Sequence, residues 1–180
     1  MDFWFGSSSV GFRDEWFRKD AAFDAAIRDR FRTTYERAAR GEFDKWCSVA
    51  HGALALVIVL VQVPRNLIRD DARAFATDAR ARAVASESVA RGFDGELSTV
   101  QRVFMYLPFE HSEVLADQER SVLLFESMED AKERDAVIEY ARRHRDIIRR
   151  FGRFPHRNRA LGRTSTPEEM AFLATPGSSF

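Results

Sequence analysis

A single cysteine, Cys47, leaves this 180-residue chain without the means for an internal disulfide. A reducing, cytoplasmic setting is therefore expected. Lysine is scarce too: Lys19, Lys45 and Lys132 are the only three, and arginine supplies the remaining cations. Arginine's planar fork grips carboxylates and phosphates at two points, which an ammonium cannot do. No glycine-rich phosphate loop, cysteine pair or haem-attachment motif occurs, so no cofactor is expected. The N-terminus, Met-Asp-Phe-Trp-Phe-Gly, lacks a basic stretch followed by an apolar one, so it does not read as a signal peptide. The longest apolar run, Ala53 to Val61, is too short for a bilayer and reads as a buried core helix. Net charge is absent as well, with 28 basic and 28 acidic side chains. That balance argues against a chain built on general attraction to nucleic acid or anionic lipid.

What is present is a globular mixture, 45% hydrophobic and 31% charged, sized for one domain over residues 1–180. Helical spacing dominates and alternating strand patterns do not persist, so an all-α fold is predicted. Phe3, Trp4 and Phe5 form an aromatic anchor ahead of a polar loop at Ser7 to Ser9. Asp20 caps a helix from about Ala21 to Arg40, with Phe23, Ile27, Phe31 and Tyr35 at four-residue spacing and Gly41 as the stop. A second helix spans about Phe43 to Val63 and is expected to kink or end at Pro64. A third covers Ala72 to Arg91. A fourth begins at Ser98 or Thr99 and is expected to break at Pro108, with a further helical segment to Met128. A fifth covers Lys132 to Arg150, with Tyr140 and His144 on its inward face. Thr166-Pro-Glu-Glu is a capping box with proline at the first helical position, opening a last short helix. Six helices with short links imply stacked helical hairpins, with no repeat of fixed period.

Three segments carry candidate chemistry. In Gln62-Val63-Pro64-Arg65-Asn66, the polar residues follow an apolar run and must find partners or a ligand. In Glu110-His111-Ser112-Glu113 with Asp117 and Gln118, a carboxylate and an imidazole adjoin a proline and could serve as general acid and base. As a metal motif this segment is weak, because no second histidine follows four residues on; no metal site is expected. Helical spacing places Glu110, Glu113 and Asp117 on one stripe. The third segment, Arg142 to Arg163, holds nine arginines, His144 and His156. Inward arginines paired with that acidic stripe fit the charge balance better than a nucleic-acid surface does. Left-over arginine and histidine would make an anion pocket.

Together with Asp2-Phe3-Trp4-Phe5-Gly6, Asp117-Gln118, the block Arg150-Phe-Gly-Arg-Phe-Pro-His-Arg-Asn158 and the closing Pro-Gly-Ser-Ser-Phe, these segments resemble the bacterial domain of unknown function 924 family over essentially the whole chain. The resemblance implies a tetratricopeptide-like α-superhelix, in agreement with the helix pattern. The family pattern reads Asp-Gln-Phe-Pro-Arg-Asn where this chain has Val61-Gln62-Val63-Pro64-Arg65-Asn66. Val61 and Val63 are thus expected to make the pocket wider and more apolar.

Two functional readings stay open. In the first, the chain is a small-molecule enzyme acting on an anionic or carbonyl-containing ligand. His111, Glu110 and His144 are its acid–base candidates, and Trp4, Val61, Gln62, Arg65, Asn66, Arg143, Arg153 and His156 its ligand contacts. In the second, a concave helical surface binds a peptide or protein partner without catalysis. Neither reading calls for a membrane.

Overall fold

The computed structural model describes residues 1–6, 12–16, 18, 20–129 and 134–178. The Ser7–Ser9 loop, Lys19, Lys132 at the expected start of the fifth helix, and the last two residues of the closing motif lie outside them. Among the described residues the fold is all-α, without a strand. Its helices are α1 (Asp2–Phe5), α2 (Ala21–Ala39), α3 (Ala50–Leu67), α4 (Asp78–Ala90), α5 (Thr99–Glu110), α6 (Leu115–Glu126), α7 (Arg134–Phe151) and α8 (Pro167–Leu173), joined by short 3-10 turns.

Capping residues set several of these boundaries. The Asp20 side chain accepts from Phe23 N at 2.9 Å and opens α2. Complete capping boxes stand at Ser98/Gln101 before α5 and at Thr166/Glu169 before α8. Gly152, with φ of 69°, closes α7 by donating its N–H to Ile148 O, and the left-handed backbone turns the chain back toward α5.

Neither proline ends its helix, so the expected break at Pro108 is corrected and the expected ending at Pro64 with it. Helix α3 runs through Pro64 to Leu67, and α5 runs through Pro108 to Glu110. Pro64 has no N–H for the Leu60 carbonyl; the Thr77 hydroxyl supplies the missing donor at 2.5 Å. Around Pro108 every residue from Val103 to Glu110 is buried, and that packing holds the helix past the missing bond. The break falls later, at His111 to Val114, so Glu110, Glu113 and Asp117 do not share one helical stripe. The expected third helix is likewise split, into a 3-10 turn (Ala72–Phe75) and α4.

Helix α3 is the axis of the fold. By length and composition it would suit a membrane crossing, but 72% of it is buried inside the fold. Helices α2, α4 and α5 pack around it, then α6 on α5 and α7 on α6, so successive helices from α2 to α7 are neighbours in space. The N-terminal anchor closes one end: Trp4 meets Phe104 edge-on at 5.7 Å and Trp16 Nε1 donates to Trp4 O at 3.0 Å. A small second core of Ile147, Ile148 and Phe154 ties the end of α7 to the segment after it.

A buried histidine–glutamate cluster behind an arginine cleft

Glu110 is the last residue of α5, His111 caps it, and His144 sits on the buried face of α7. The C-terminal contacts of α5 are held by Gln118, whose Nε2 donates to Glu110 O at 2.5 Å and Ser112 O at 2.6 Å. Ser112 Oγ donates to Asp117 at 2.6 Å and accepts from Arg82 at 3.0 Å and Val114 N at 3.2 Å. A hydroxyl engaged on all sides braces the turn and is not a free nucleophile. Cys47 is no better suited, since burial and the nearby Asp44 and Glu87 push its thiol up.

The fold brings Glu110, His111 and His144 together: each offers a nitrogen or oxygen within 4.8 Å of the others. Glu110 Oε1 lies 3.4 Å from His144 Nδ1, and both side chains are almost fully buried, at 6% and 5% exposure. His144 Nδ1 also lies 2.8 Å from the Tyr140 carbonyl, an acceptor only, which assigns the proton to Nδ1. Tyr140 itself is 52% exposed and not inward as its spacing predicted; only its carbonyl joins the cluster. Burial raises the Glu110 carboxyl to about 8 and lowers the His144 imidazole to about 4. Burial, Arg65 and Arg157 hold His111 well below the usual imidazole range. His156, lowered to about 3 by burial first and Arg157 next, stands beside the Phe154 ring at 5.6 Å. At neutral pH the cluster is therefore a protonated carboxyl among neutral imidazoles. Three such donor atoms could close on a metal ion, yet the two arginines facing His111 make the local field one that favours an anion over a cation.

In front of the cluster opens a cleft of about 290 Å³, lined by His111, Ser112, Glu113, Arg82, Asp78, Arg157 and the apolar Phe75, Pro108, Val114 and Leu161. Its charged walls are mostly paired. Arg65 holds Asp78 through two bonds of 2.9 and 2.8 Å, Arg82 meets Asp117 at 3.2 Å, and Arg163 grips Glu113 at 2.7 and 2.9 Å. Glu113 also accepts the Phe154 N–H at 2.8 Å, fastening the turn after α5 to the segment after α7. Arg157 is the exception. It is 7% exposed, lies against the rings of Phe75 and Phe154, and forms no ion pair among the described residues. Among those residues its hydrogen bond runs from Nη1 to His111 O at 2.9 Å, and buried Nε has no partner. Burial, then Arg65, lowers its guanidinium to about 9.

The other expected ligand contacts scatter. Trp4 and Val63 line a separate apolar cavity of about 120 Å³ with Phe3, Phe31, Trp46 and Ile58. Val61 is 2% exposed inside the core, its carbonyl accepting from Arg65 at 2.8 Å, and Gln62 is buried in α3. Asn66 donates to Asp24 at 2.8 Å beside Arg69. Arg143 reaches Gly177 O at 3.2 Å, and Arg153 is locked to Glu169 at 2.6 and 2.8 Å. Arg65 and His111 stand by the cleft. Arg157 and Arg82, which sequence reasoning passed over, stand there too. Their signal was present in the Arg-Phe-Pro-His-Arg-Asn block and in α4, but the eight other arginines of the Arg142–Arg163 run masked Arg157.

Fold and site define a class: an all-α protein, among its described residues, with a buried carboxyl–imidazole cluster behind a cleft lined by Arg157, which has no ion pair among those residues. The chain belongs to the family described as "Bacterial protein of unknown function (DUF924)", whose model matches residues 1–177. It is similar to the solved structure of a protein of unknown function from Agrobacterium tumefaciens, with 46% identity, 89% of each chain covered and a TM-score of 0.83. No functionally curated protein matches it.

Proposed function

We propose that this protein is a small-molecule enzyme that binds an anionic, carbonyl-containing ligand in the cleft and moves protons on it through His111. The observation that carries this reading is a juxtaposition: His111 lines the cleft beside Arg157 and belongs to the same cluster as Glu110 and His144. A neutral imidazole is the form that accepts a proton, and a protonated carboxyl the form that returns one. Glu110 and His144 stand behind His111, away from the cleft lining, so they act as positioning residues and proton store. Arg157 holds the ligand and stabilises negative charge that develops on its oxygen. Arg82, tied to Ser112, fixes the turn that carries His111. A cytoplasmic setting suits the lone thiol.

The test follows carbon-bound protons. In D2O the wild-type protein is expected to accelerate loss of the C3 proton signal of 2-oxobutyrate or a related oxo acid, read by proton NMR. His111→Gln is expected to lose that acceleration. No exchange in any oxo acid that binds, or equal exchange by His111→Gln, overturns the reading.

One observation favours a second reading, a tetratricopeptide-like peptide-binding module. The cleft is open to solvent on one side, and an unpaired arginine suits the C-terminal carboxylate of a peptide as well as that of a small acid.

A further inference from the structure

Three features fix the chemistry of the group that Arg157 takes: its free edge, its charge balance and its surroundings. Within this chain, arginines grip carboxylates in two ways: Arg65 and Arg163 end-on through Nη1 and Nη2, others side-on. Arg69 uses Nε and Nη2 on Asp24 at 2.9 and 2.8 Å, and Arg153 uses the same two nitrogens on Glu169 at 2.6 and 2.8 Å. In Arg157 the opposite nitrogen, Nη1, is committed to His111 O, so among the described residues the Nε–Nη2 edge is the one without an acceptor, with Nε itself shut off from solvent. That edge matches the two oxygens of a planar carboxylate.

The charge balance points the same way. Asp78, Arg82 and Glu113 each have an opposite partner in Arg65, Asp117 and Arg163. Among the described residues that line the cleft, Arg157 leaves a surplus, a single positive charge. One bound monoanion neutralises it, whereas a phosphate dianion would leave a buried negative charge with no partner. The remaining walls, Phe75, Pro108, Val114 and Leu161, are apolar, and the volume lies at the small end of ligand pockets, roughly 300–1,000 Å³.

We propose that the cleft's ligand is a compact monocarboxylate with an apolar body, its carboxylate paired with Arg157 and its body directed along the apolar wall past His111. This rests on the ligand-binding reading above and narrows it from any anion to a carboxylate. The carboxylate can belong to a free small acid or to the C-terminus of a peptide; the chemistry at Arg157 is shared.

Calorimetric titration of the purified chain at fixed ionic strength separates the cases. Butyrate and benzoate are compared with butyramide and benzamide, with inorganic phosphate and sulfate, and with an N-acetylated Ala-Leu-Phe tripeptide carrying a free or amidated C-terminus. Saturable binding is expected for the carboxylates, at least tenfold tighter than for their amides, phosphate or sulfate. Arg157→Met is expected to abolish it and Arg157→Lys to weaken it at least tenfold. Because Arg157 also braces His111 O, Val114→Trp provides a second route: it fills the cleft from its exposed rim, leaves the arginine in place, and is expected to block binding. A free-acid tripeptide binding where butyrate does not keeps the carboxylate and assigns it to a peptide. Phosphate or sulfate binding as tightly as the carboxylates overturns the carboxylate assignment and leaves the anion reading standing. If no anion binds, or if Arg157→Met and Val114→Trp both bind like wild type, the assignment and the reading beneath it fall together.

Discussion

Arg157 donates from Nη1 to the main-chain carbonyl of His111 at 2.9 Å, a link between residues 46 apart in sequence. It joins the cation of the cleft to the turn that presents the imidazole, so the segment after α7 and the end of α5 are set as one unit. Glu113 makes the reciprocal connection, accepting from Phe154 N and from Arg163. The tests below probe this unit and the packing that supports it.

The turn should depend on Glu113. Glu113→Ala removes two charged hydrogen bonds and leaves the Phe154 N–H unsatisfied in a half-buried place. A loss of about 2–3 kcal/mol is expected in urea unfolding. A change below about 0.5 kcal/mol would show that the link is not structural.

Glu110 gives stability an unusual slope. Its folded carboxyl titrates at about 8, against an ordinary value of 4.5. Between these values the folded state holds a proton that the unfolded state has lost, so this residue lowers stability as pH rises from about 4.5 to about 8. Glu110→Gln cannot titrate. Its stability relative to wild type should therefore increase from pH 5 to pH 8 in paired urea titrations. A constant difference would contradict a protonated Glu110.

At the other end of the scale, Glu169 is held down to about 2 by Arg153, with help from the Thr166 N–H. A depressed carboxylate contributes stability that is complete above its unfolded value and is lost as pH falls toward its folded one. Wild type should thus lose stability progressively from about pH 4.5 to pH 2. Glu169→Gln, less stable at pH 7 because it leaves Arg153 without its acid, should show a shallower acid slope in thermal melts.

The apolar cavity offers a test of packing apart from the cleft. Val63 is 1% exposed and lines it. Val63→Phe fills empty volume and is expected to stabilise by about 1–2 kcal/mol. It should leave butyrate binding unchanged, because Val63 is not on the cleft wall. Destabilisation would mean that the surrounding rings cannot yield.

Much of the fold was legible because local chemistry decided it. Asp20 and Thr166-Pro-Glu-Glu announce helix starts, and the phenylalanine and isoleucine spacing of α2 announces its buried face. The prolines misled for a tertiary reason: the Thr77 hydroxyl, 17 residues beyond Leu60, gives the Leu60 carbonyl the donor that Pro64 lacks. The site was half legible. Glu110, His111 and His144 stand out as residue types and do converge, but Arg157 does not stand out. Arg142, Arg145, Arg149, Arg150, Arg153, Arg159 and Arg163 each meet a carboxylate, several of them far along the chain, and only the folded arrangement sets Arg157 apart, buried against two rings with no ion pair among the described residues. Trp4 and Val63 were assigned to the ligand pocket by their place in a motif. The fold puts them in a second cavity instead.

The most direct measurement is a nitrogen-15 NMR titration that follows arginine Nε–H and histidine ring signals as butyrate is added. The expected result is a saturable shift of the Arg157 Nε–H and His111 ring signals, while Arg153, locked to Glu169, stays still. Shifts confined to exposed arginines such as Arg142 and Arg149, with Arg157 and His111 unmoved, would contradict a ligand site at this cleft.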